Sequence, residues 1–158
     1  MIFDSQEFQL EQVADLDHLF RVWPFLLSGL EELNGTLKSG EVSSEEFFLT
    51  HADVVTNRRE GVVLKVNSKN GKELAYITAF DNTGKHKIER SLLVYAIYSN
   101  RKSNTASRFA RESLEKWARE HGFDWLHAYM GRTSGSSTQW ARRFHGFQLE
   151  KYFYTKKI

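Results

Sequence analysis

Residues 91–106 read SLLVYAIYSNRKSNTA, an apolar strand that passes through a polar turn into a helix. The strand half has almost no alternation of polar and apolar residues, which is typical of a central strand covered on both faces. The helix that follows is predicted over about Asn104 to Glu120, with Gly122 as its stop. A strand that leads into a helix N-terminus places first-turn N–H groups and the positive end of the helix dipole together. The stretch therefore predicts an anion site, and a phosphate-bearing cofactor is the first candidate.

The composition bounds the class of protein. The chain has 158 residues, of which 41% are hydrophobic and 27% charged. These values predict a single globular domain over residues 1–158. The sequence has no apolar run of membrane-spanning length and no leader pattern, so we expect a soluble, cytoplasmic protein. There is no cysteine, which excludes disulfides and thiolate nucleophiles, and we see no metal-ligand spacing.

The charge is unevenly distributed along the chain. Residues 1–50 hold 10 acidic and 2 basic side chains, a net of −8, and residues 51–158 hold 20 basic and 10 acidic, a net of +10. Either the two parts of one domain neutralise each other, or the second part binds anions beneath an acidic first part. Nucleic acid is a weaker alternative, because Lys and Arg do not interleave with aromatic residues in a dense run.

The first half of the chain predicts one strand, two helices and a hairpin. The strand spans Glu7 to Val13, and a leucine-rich stripe from Leu16 to Leu33 has helical spacing. Pro24 lies inside that stripe, so we expect a break or kink there. A capping box at Ser43 starts the second helix. Branched and aromatic residues then predict strands at Val62–Val66, Lys72–Phe80 and Ser91–Tyr98, with an Asn70-Gly71 turn between the first two.

Three further elements close the chain: a strand from Asp124 to Met130, a short helix from Ser136 to Phe144, and a last strand from Phe147 to Tyr154. The predicted order is β α α β β β α β α β. This order predicts an α/β (α+β) fold with one mixed, mostly antiparallel sheet of six to seven strands and about four helices on its faces.

The element order and two motifs resemble the GNAT superfamily of acyl-CoA-dependent N-acyltransferases. The family signature at the helix start is Arg/Gln-x-x-Gly-x-Gly/Ala, and residues 101–106 read RKSNTA. Arg101 and Ala106 fit this signature, whereas Asn104 replaces its first glycine. Residues 140–147, WARRFHGF, resemble the last helix of the family, which commonly ends in Gly-Phe. The chain is also similar to short GNAT-like proteins encoded by tailed bacteriophages.

The resemblance implies acetyl-CoA as a co-substrate. The backbone from Lys102 to Ala106 would hold the pyrophosphate, and the pantetheine arm would lie between strand 91–98 and strand 124–130. The cofactor-binding residues that it implies are Tyr95, Ile97, Tyr98, Arg101, Lys102, Ser103, Asn104, Thr105 and Ala106. The alternative is that residues 99–106 form an ordinary solvated turn with a polar N-cap.

The resemblance also implies direct transfer of an acetyl group to the amine of a small molecule or a protein. The tyrosine that often serves as the family's acid is replaced by Arg142, and arginine stays protonated. The candidates that remain are His127 as base, Tyr129 or Tyr98 as proton donor, and Glu89 acting through water. Each has a plain structural alternative, as a packed histidine, a core aromatic residue or a solvated carboxylate.

A second function therefore stays open. A catalytically degenerate GNAT-like domain would serve as a structural or protein-interaction module, for example in a phage particle. The acceptor pocket would be built by residues 24–46, which carry no readable specificity code, although Glu31, Glu32, Glu45 and Glu46 could attract a cationic amine. An exposed strand 147–154 could pair between subunits in a homodimer, and nothing in the sequence decides this.

Overall fold

A seven-stranded sheet forms the centre of the computed structural model, which describes residues 7–36, 42–85, 87–100, 104–129, 148–150 and 153–158. The strands are β1 (Phe8–Gln12), β2 (Gly61–Ser68), β3 (Glu73–Asp81), β4 (Ser91–Ser99), β5 (Trp125–Tyr129), β6 (Gln148–Glu150) and β7 (Phe153–Lys157). Their order across the sheet is β1-β2-β3-β4-β5-β7-β6. β4 and β5 run parallel, and the other described pairs are antiparallel. The predicted mixed, mostly antiparallel sheet is confirmed, with β4 at its centre.

Three described helices cover the two faces of the sheet: α1 (Leu16–Thr36), α2 (Ser44–Val55) and α3 (Asn104–Glu120). α1 and α2 pack on one face and α3 on the other. The Ser43 hydroxyl accepts a hydrogen bond from the Glu46 N–H at 3.1 Å, which is half of the predicted capping box. The predicted helix at 136–144 lies outside the described residues.

The core has two layers because side chains alternate along each strand. On β2, Val62 and Leu64 pack toward α3, while Val63 packs toward α1 and α2. β4 follows the same rule at its start, where Leu92 faces α3 and Leu93 faces α1 and α2. This assignment of faces determines which side chains meet at the site.

The helix does not break at Pro24, where the sequence predicts a break or a kink. α1 continues through Pro24 as one helix of 21 residues. Proline removes one hydrogen bond, to the carbonyl of Phe20, and Phe20 lies on the exposed side of the helix, where water can satisfy that carbonyl. The opposite stripe, which includes Leu19 and Leu26, is fully buried and holds the helix in place.

The predicted last strand, Phe147–Tyr154, is also corrected. The structure has two short antiparallel strands there, β6 and β7, and β7 runs on to Lys157. The sequence between them has no Gly, Pro or Asn, so it gives no turn signal. By contrast, the Asn70-Gly71 turn between β2 and β3 is confirmed, and Gly71 has the positive φ of 88° that such a turn requires.

Arg90 ties three elements together just before β4. Its Nη1 donates to the His121 carbonyl at the end of α3 at 2.8 Å, and its Nη2 pairs with Glu60 just before β2. The guanidinium also lies 4.1 Å from the centre of the Phe123 ring. These contacts fix the end of the sheet at which β4 begins. No helix in the described ranges is long and apolar enough to cross a membrane.

Candidate active site

A β-bulge lies in the middle of β4. Thr78 of β3 is paired with Ala96, but the next residue, Ala79, is paired with Val94, so Tyr95 has no partner on β3. The extra residue changes the alternation of side chains. Tyr95 and Ala96 both face α1 and α2, and Ile97 then faces α3.

β4 and β5 separate just before this bulge. They pair from Ser91 with Trp125 to Val94 with Ala128, and β4 then continues to Ser99. Among the described strands, none pairs with the β5 side of β4 beyond Val94. Alternate backbone N–H and C=O groups of this segment therefore point into the gap, where an extended ligand with amide groups could pair with them.

The helix α3 begins beyond the carboxyl end of β4. Its first residue is Asn104, five positions after Ser99, and its first turn carries no acidic side chain. Ala106 is fully buried against the core on the α3 face, which anchors that turn, whereas Thr105 is exposed. The positive end of the α3 dipole thus lies beyond the open edge of β4. Residues 101–103 and the side chain of Asn104, which the sequence assigns to the same loop, lie outside what is described.

Aromatic side chains line the α1 and α2 face of this region. The Phe25 ring meets the rings of Tyr76 and Tyr98 edge to face, with centroids 5.7 and 5.5 Å away. The Tyr76 hydroxyl donates to the Leu26 carbonyl at 3.0 Å, which holds β3 against α1. Burial is the largest cause that raises the pKa of Tyr76. Tyr76 is thus an uncharged packing residue, and Tyr98 is the half-buried aromatic residue at the end of β4.

Tyr95 is held by α2. Its phenol interacts with the Thr50 hydroxyl, and burial raises its pKa above the ordinary value. The Thr50 hydroxyl itself donates to the Glu46 carbonyl at 3.0 Å. The sequence predicted Tyr95 as a backbone contact for the cofactor and did not identify its contact with α2.

His127 lies on the same face of the sheet as Tyr95. It is paired in register with Leu93 of β4, and paired residues of parallel strands share a face. Leu93 packs toward α1 and α2, and His127 is half-buried. The structure thus brings Tyr95, Tyr98 and His127 to one face near the gap. Tyr129 is the last residue of β5, and its side chain is outside the described set.

Glu89 lies at the other end of β4. Its Oε2 accepts from Lys157 Nζ at 2.6 Å and from Trp125 Nε1. The bond with Lys157, followed by that with Trp125, lowers the pKa of Glu89, so it is an ionised partner of β5 and β7. At about 3.3 Å per residue, roughly 20 Å of strand separates it from Tyr95. The structure does not bring Glu89 together with the other candidates.

A buried histidine on α2 lies behind the bulge. His51 has no exposed surface, and its two ring nitrogens lie 2.7 Å from the Phe47 carbonyl and 2.8 Å from the Thr78 hydroxyl. Burial lowers the pKa of His51 to about 4, so the ring is neutral. The sequence pattern did not single out this histidine. Its hydrogen-bond partner Thr78 is 27 residues away in the chain, so no local pattern could have identified the pair.

The arrangement of the sheet and its helices around the central strand is the GNAT acetyltransferase fold, as comparison with solved structures shows. A ribosomal-protein-alanine N-acetyltransferase from Brucella melitensis is similar over 95% of this chain and 99% of its own, with 16% identity and a TM-score of 0.68. A GNAT-family acetyltransferase from Listeria monocytogenes is similar over 96% and 95%, with 14% identity and a TM-score of 0.62.

This assignment rests on likeness of structure alone. No protein-family model matches the sequence, and the comparison with curated proteins gives no match. At 14–16% identity, the likeness to solved structures establishes the fold and leaves the reaction to be argued from the site. Within the described residues, no group of three or more His, Asp or Glu side chains could hold a metal ion.

Proposed function

We propose that this protein is an acyl-CoA-dependent N-acetyltransferase, which moves an acetyl group from acetyl-CoA directly to an amine. The observation that carries the proposal is the gap between β4 and β5. β4 pairs with β5 only as far as Val94 and then presents five more residues toward the gap before the chain reaches α3. An extended donor with amides along its length and phosphates at one end fits an open strand edge that leads to a helix N-terminus.

The donor would lie along the open edge of β4. Its pantetheine amides would pair with the backbone of Tyr95, Ile97 and Tyr98. Its pyrophosphate would lie at the start of α3, held by backbone groups of residues 102–106 and by the charges of Arg101 and Lys102. Asn104 stands where the family has glycine, and Asn accepts a positive φ more readily than most residues.

The two faces of the sheet suggest where the second substrate enters. α3 covers one face, so the phosphate end of the donor would approach from there. The opposite face carries Tyr95, Tyr98 and His127, and the acidic helices α1 and α2 lie above it. An acceptor amine would reach the thioester from this side. The acceptor is an amine of a small molecule or a protein, and we expect the reaction to be cytoplasmic.

Direct transfer needs two proton movements. The ammonium group must lose a proton before its nitrogen attacks the thioester carbonyl, and the departing CoA thiolate must gain one. We assign the first role to His127, because an imidazole titrates near neutral pH. Tyr98, at the end of β4, and Tyr129, at the end of β5, are the candidates for the second role.

Calorimetric titration of acetyl-CoA into wild type and Asn104→Trp tests the donor site. We expect micromolar binding by wild type and at least a roughly tenfold weaker affinity in the variant, because an indole at the helix start would occupy the space of the pyrophosphate. Asn82→Trp is the matched control. Asn82 is exposed between β3 and β4, at the opposite end of the sheet, so its substitution should leave affinity unchanged.

A folded wild type that does not bind acetyl-CoA would overturn the proposal. The alternative, a GNAT-like module without catalysis that serves structure or interaction, would then become the better hypothesis. If acetyl-CoA binds, release of CoA thiol with a panel of amines measures transfer. Binding without transfer to any amine would also favour the alternative.

A further inference from the structure

The helix α2 holds the bulged part of β4 at two neighbouring positions. The Thr50 hydroxyl interacts with the Tyr95 phenol, and the next residue, His51, is hydrogen-bonded to Thr78 on β3. Thr78 is the strand partner of Ala96, the residue directly after the bulge. Two consecutive residues of α2 therefore hold the two sides of the one irregular point in the β3–β4 ladder.

The hydrogen bonds of His51 can be assigned from chemistry. The Phe47 carbonyl can only accept, so His51 Nδ1 carries the ring proton and donates to it. Nε2 of the neutral ring is then an acceptor, and the Thr78 hydroxyl must donate to it. Both nitrogens are satisfied in one orientation of the ring, which is fixed by α2 at one end and by β3 at the other.

The fixed ring also packs against the bulged residue. The His51 and Tyr95 rings meet edge to face with centroids 5.9 Å apart, and the Phe47 ring lies 5.9 Å from Tyr95. On the β3 side, the Phe80 ring lies 5.4 Å from the Tyr95 ring, so the side chain of the bulged residue is held between α2 and β3.

We propose that His51 is a positioning residue, which holds the bulge of β4 in place and, if the proposed function is right, thereby aligns the donor-binding edge. A bulge that moved by one position would reverse the faces of the residues it passed. The backbone groups that those residues present to the gap would change in the same way. His51 and Thr50 prevent that movement from the side of α2.

Thr78→Val and Thr78→Ser form the matched pair that tests this inference. Valine has nearly the shape of threonine but leaves His51 Nε2 without a donor, whereas serine keeps the hydroxyl and loses only a methyl group. Amide hydrogen exchange is measured along β4. Within residues 96–98, we expect the amides that bond to β3 to exchange about tenfold faster in Thr78→Val, the effect of one buried acceptor left unpaired, and close to wild type in Thr78→Ser.

Titration with acetyl-CoA adds the functional readout. We expect a roughly tenfold weaker affinity in Thr78→Val and recovery in Thr78→Ser. If wild type does not bind acetyl-CoA, the proposed function fails, while the exchange data still decide whether His51 holds the bulge. Faster exchange at 96–98 without a change in donor affinity would overturn the link to the donor edge.

Equal exchange in both variants, or an increase spread evenly over β4, would overturn the inference, because His51 would then serve only general stability. Where Thr78→Val does not fold, the half-buried Thr50 offers the same comparison. Thr50→Val removes the hydroxyl that interacts with the Tyr95 phenol, and Thr50→Ser retains it. Faster exchange at 96–98 in the valine variant alone supports the inference, and equal exchange overturns it.

Discussion

The buried imidazole of His51 predicts that the protein loses stability in mild acid. Burial lowers the pKa of His51 from its ordinary value of 6.5 to about 4 in the folded protein. Between these values, the unfolded chain binds a proton at this residue and the folded protein does not. The contribution of His51 is therefore complete above pH 6.5 and is lost as the pH falls toward 4.

The size of the loss follows from the two pKa values. The free energy of unfolding should fall by about 1 kcal/mol by about pH 6 and by about 2 kcal/mol by about pH 5. Below the folded pKa the loss is complete, at about 3 kcal/mol. Since small domains are stable by only about 5–15 kcal/mol, this one residue should dominate the response to mild acid.

The surroundings of the ring explain why protonation is unfavourable. The described contacts of the imidazole are the Phe47 carbonyl, the Thr78 hydroxyl and the rings of Trp23, Phe47 and Tyr95. None of these groups is a carboxylate, so no negative charge offsets a buried imidazolium. The Phe47 carbonyl favours the charged form, but its effect is smaller than that of burial.

Urea unfolding of wild type and His51→Gln, between about pH 7.5 and pH 5, measures this contribution. The variant should be less stable near neutral pH, because it loses the paired bonds of the ring. Its further loss on acidification should be smaller than that of wild type by about 2 kcal/mol. His121→Gln, at the exposed end of α3, controls for removal of a histidine as such.

Parallel losses in wild type and His51→Gln would refute this reasoning, because another group would then take up the proton. Glu11 and Asp81 also have lowered pKa values, and for both burial, the largest single cause, opposes the shift that their bonding partners produce. Their stabilisation is lost only as the pH falls below their ordinary values of 4.5 and 3.8. The comparison of variant with wild type cancels what remains of their effect.

Two substitutions away from the bulge test the packing that supports the site. Gly29→Ala should destabilise the protein by about 1–3 kcal/mol, because the new Cβ would overlap the Tyr76 phenol, although the same change in an open helix stabilises by roughly 1 kcal/mol. Arg90→Met should lower stability by about 1–2 kcal/mol, because the His121 carbonyl loses its donor and Glu60 loses its partner. Thermal and urea unfolding measure both.

Each of these substitutions has a control in the loop between β3 and β4. Gly84→Ala places its Cβ 3.2 Å from the flexible Lys87 side chain, which can move, so stability should change little. Lys87→Met removes a positive charge from an exposed position near Arg90. A stabilised Gly29→Ala, or an Arg90→Met no less stable than Lys87→Met, would contradict the contacts described here.

The part of the fold that could be predicted from the sequence is the part decided by local pattern. The apolar run at 91–98 and the amphipathic residues after it predicted β4 and α3, because burial on two faces and on one face leave different periods. The hairpin at Asn70-Gly71 was also predicted from local sequence, because the backbone conformation of such a turn favours Asn and Gly. α1 continues through Pro24, because burial of the opposite stripe of the helix outweighs one missing hydrogen bond.

The candidate site was predicted less completely. The sequence placed residues 95–106 near a ligand, and the structure has the open edge of β4 leading toward α3 at that point. The sequence also proposed Glu89 as a group that acts through water, because Glu89 is near β4 along the chain. A strand has two ends, however, and only the sheet shows that Glu89 lies at the end where β4 and β5 are still paired, engaged with Lys157.

By itself, the sequence determined the strands β1 to β5, the helices α1 to α3 and which of their faces are buried, because those properties depend on neighbours a few residues apart. The tertiary structure alone decided that Tyr95 bulges, that β5 separates from β4 after Val94, and that His51 meets Thr78. Each of these features depends on groups that are far apart in the chain, and the periodicity of apolar residues carries no information about such contacts.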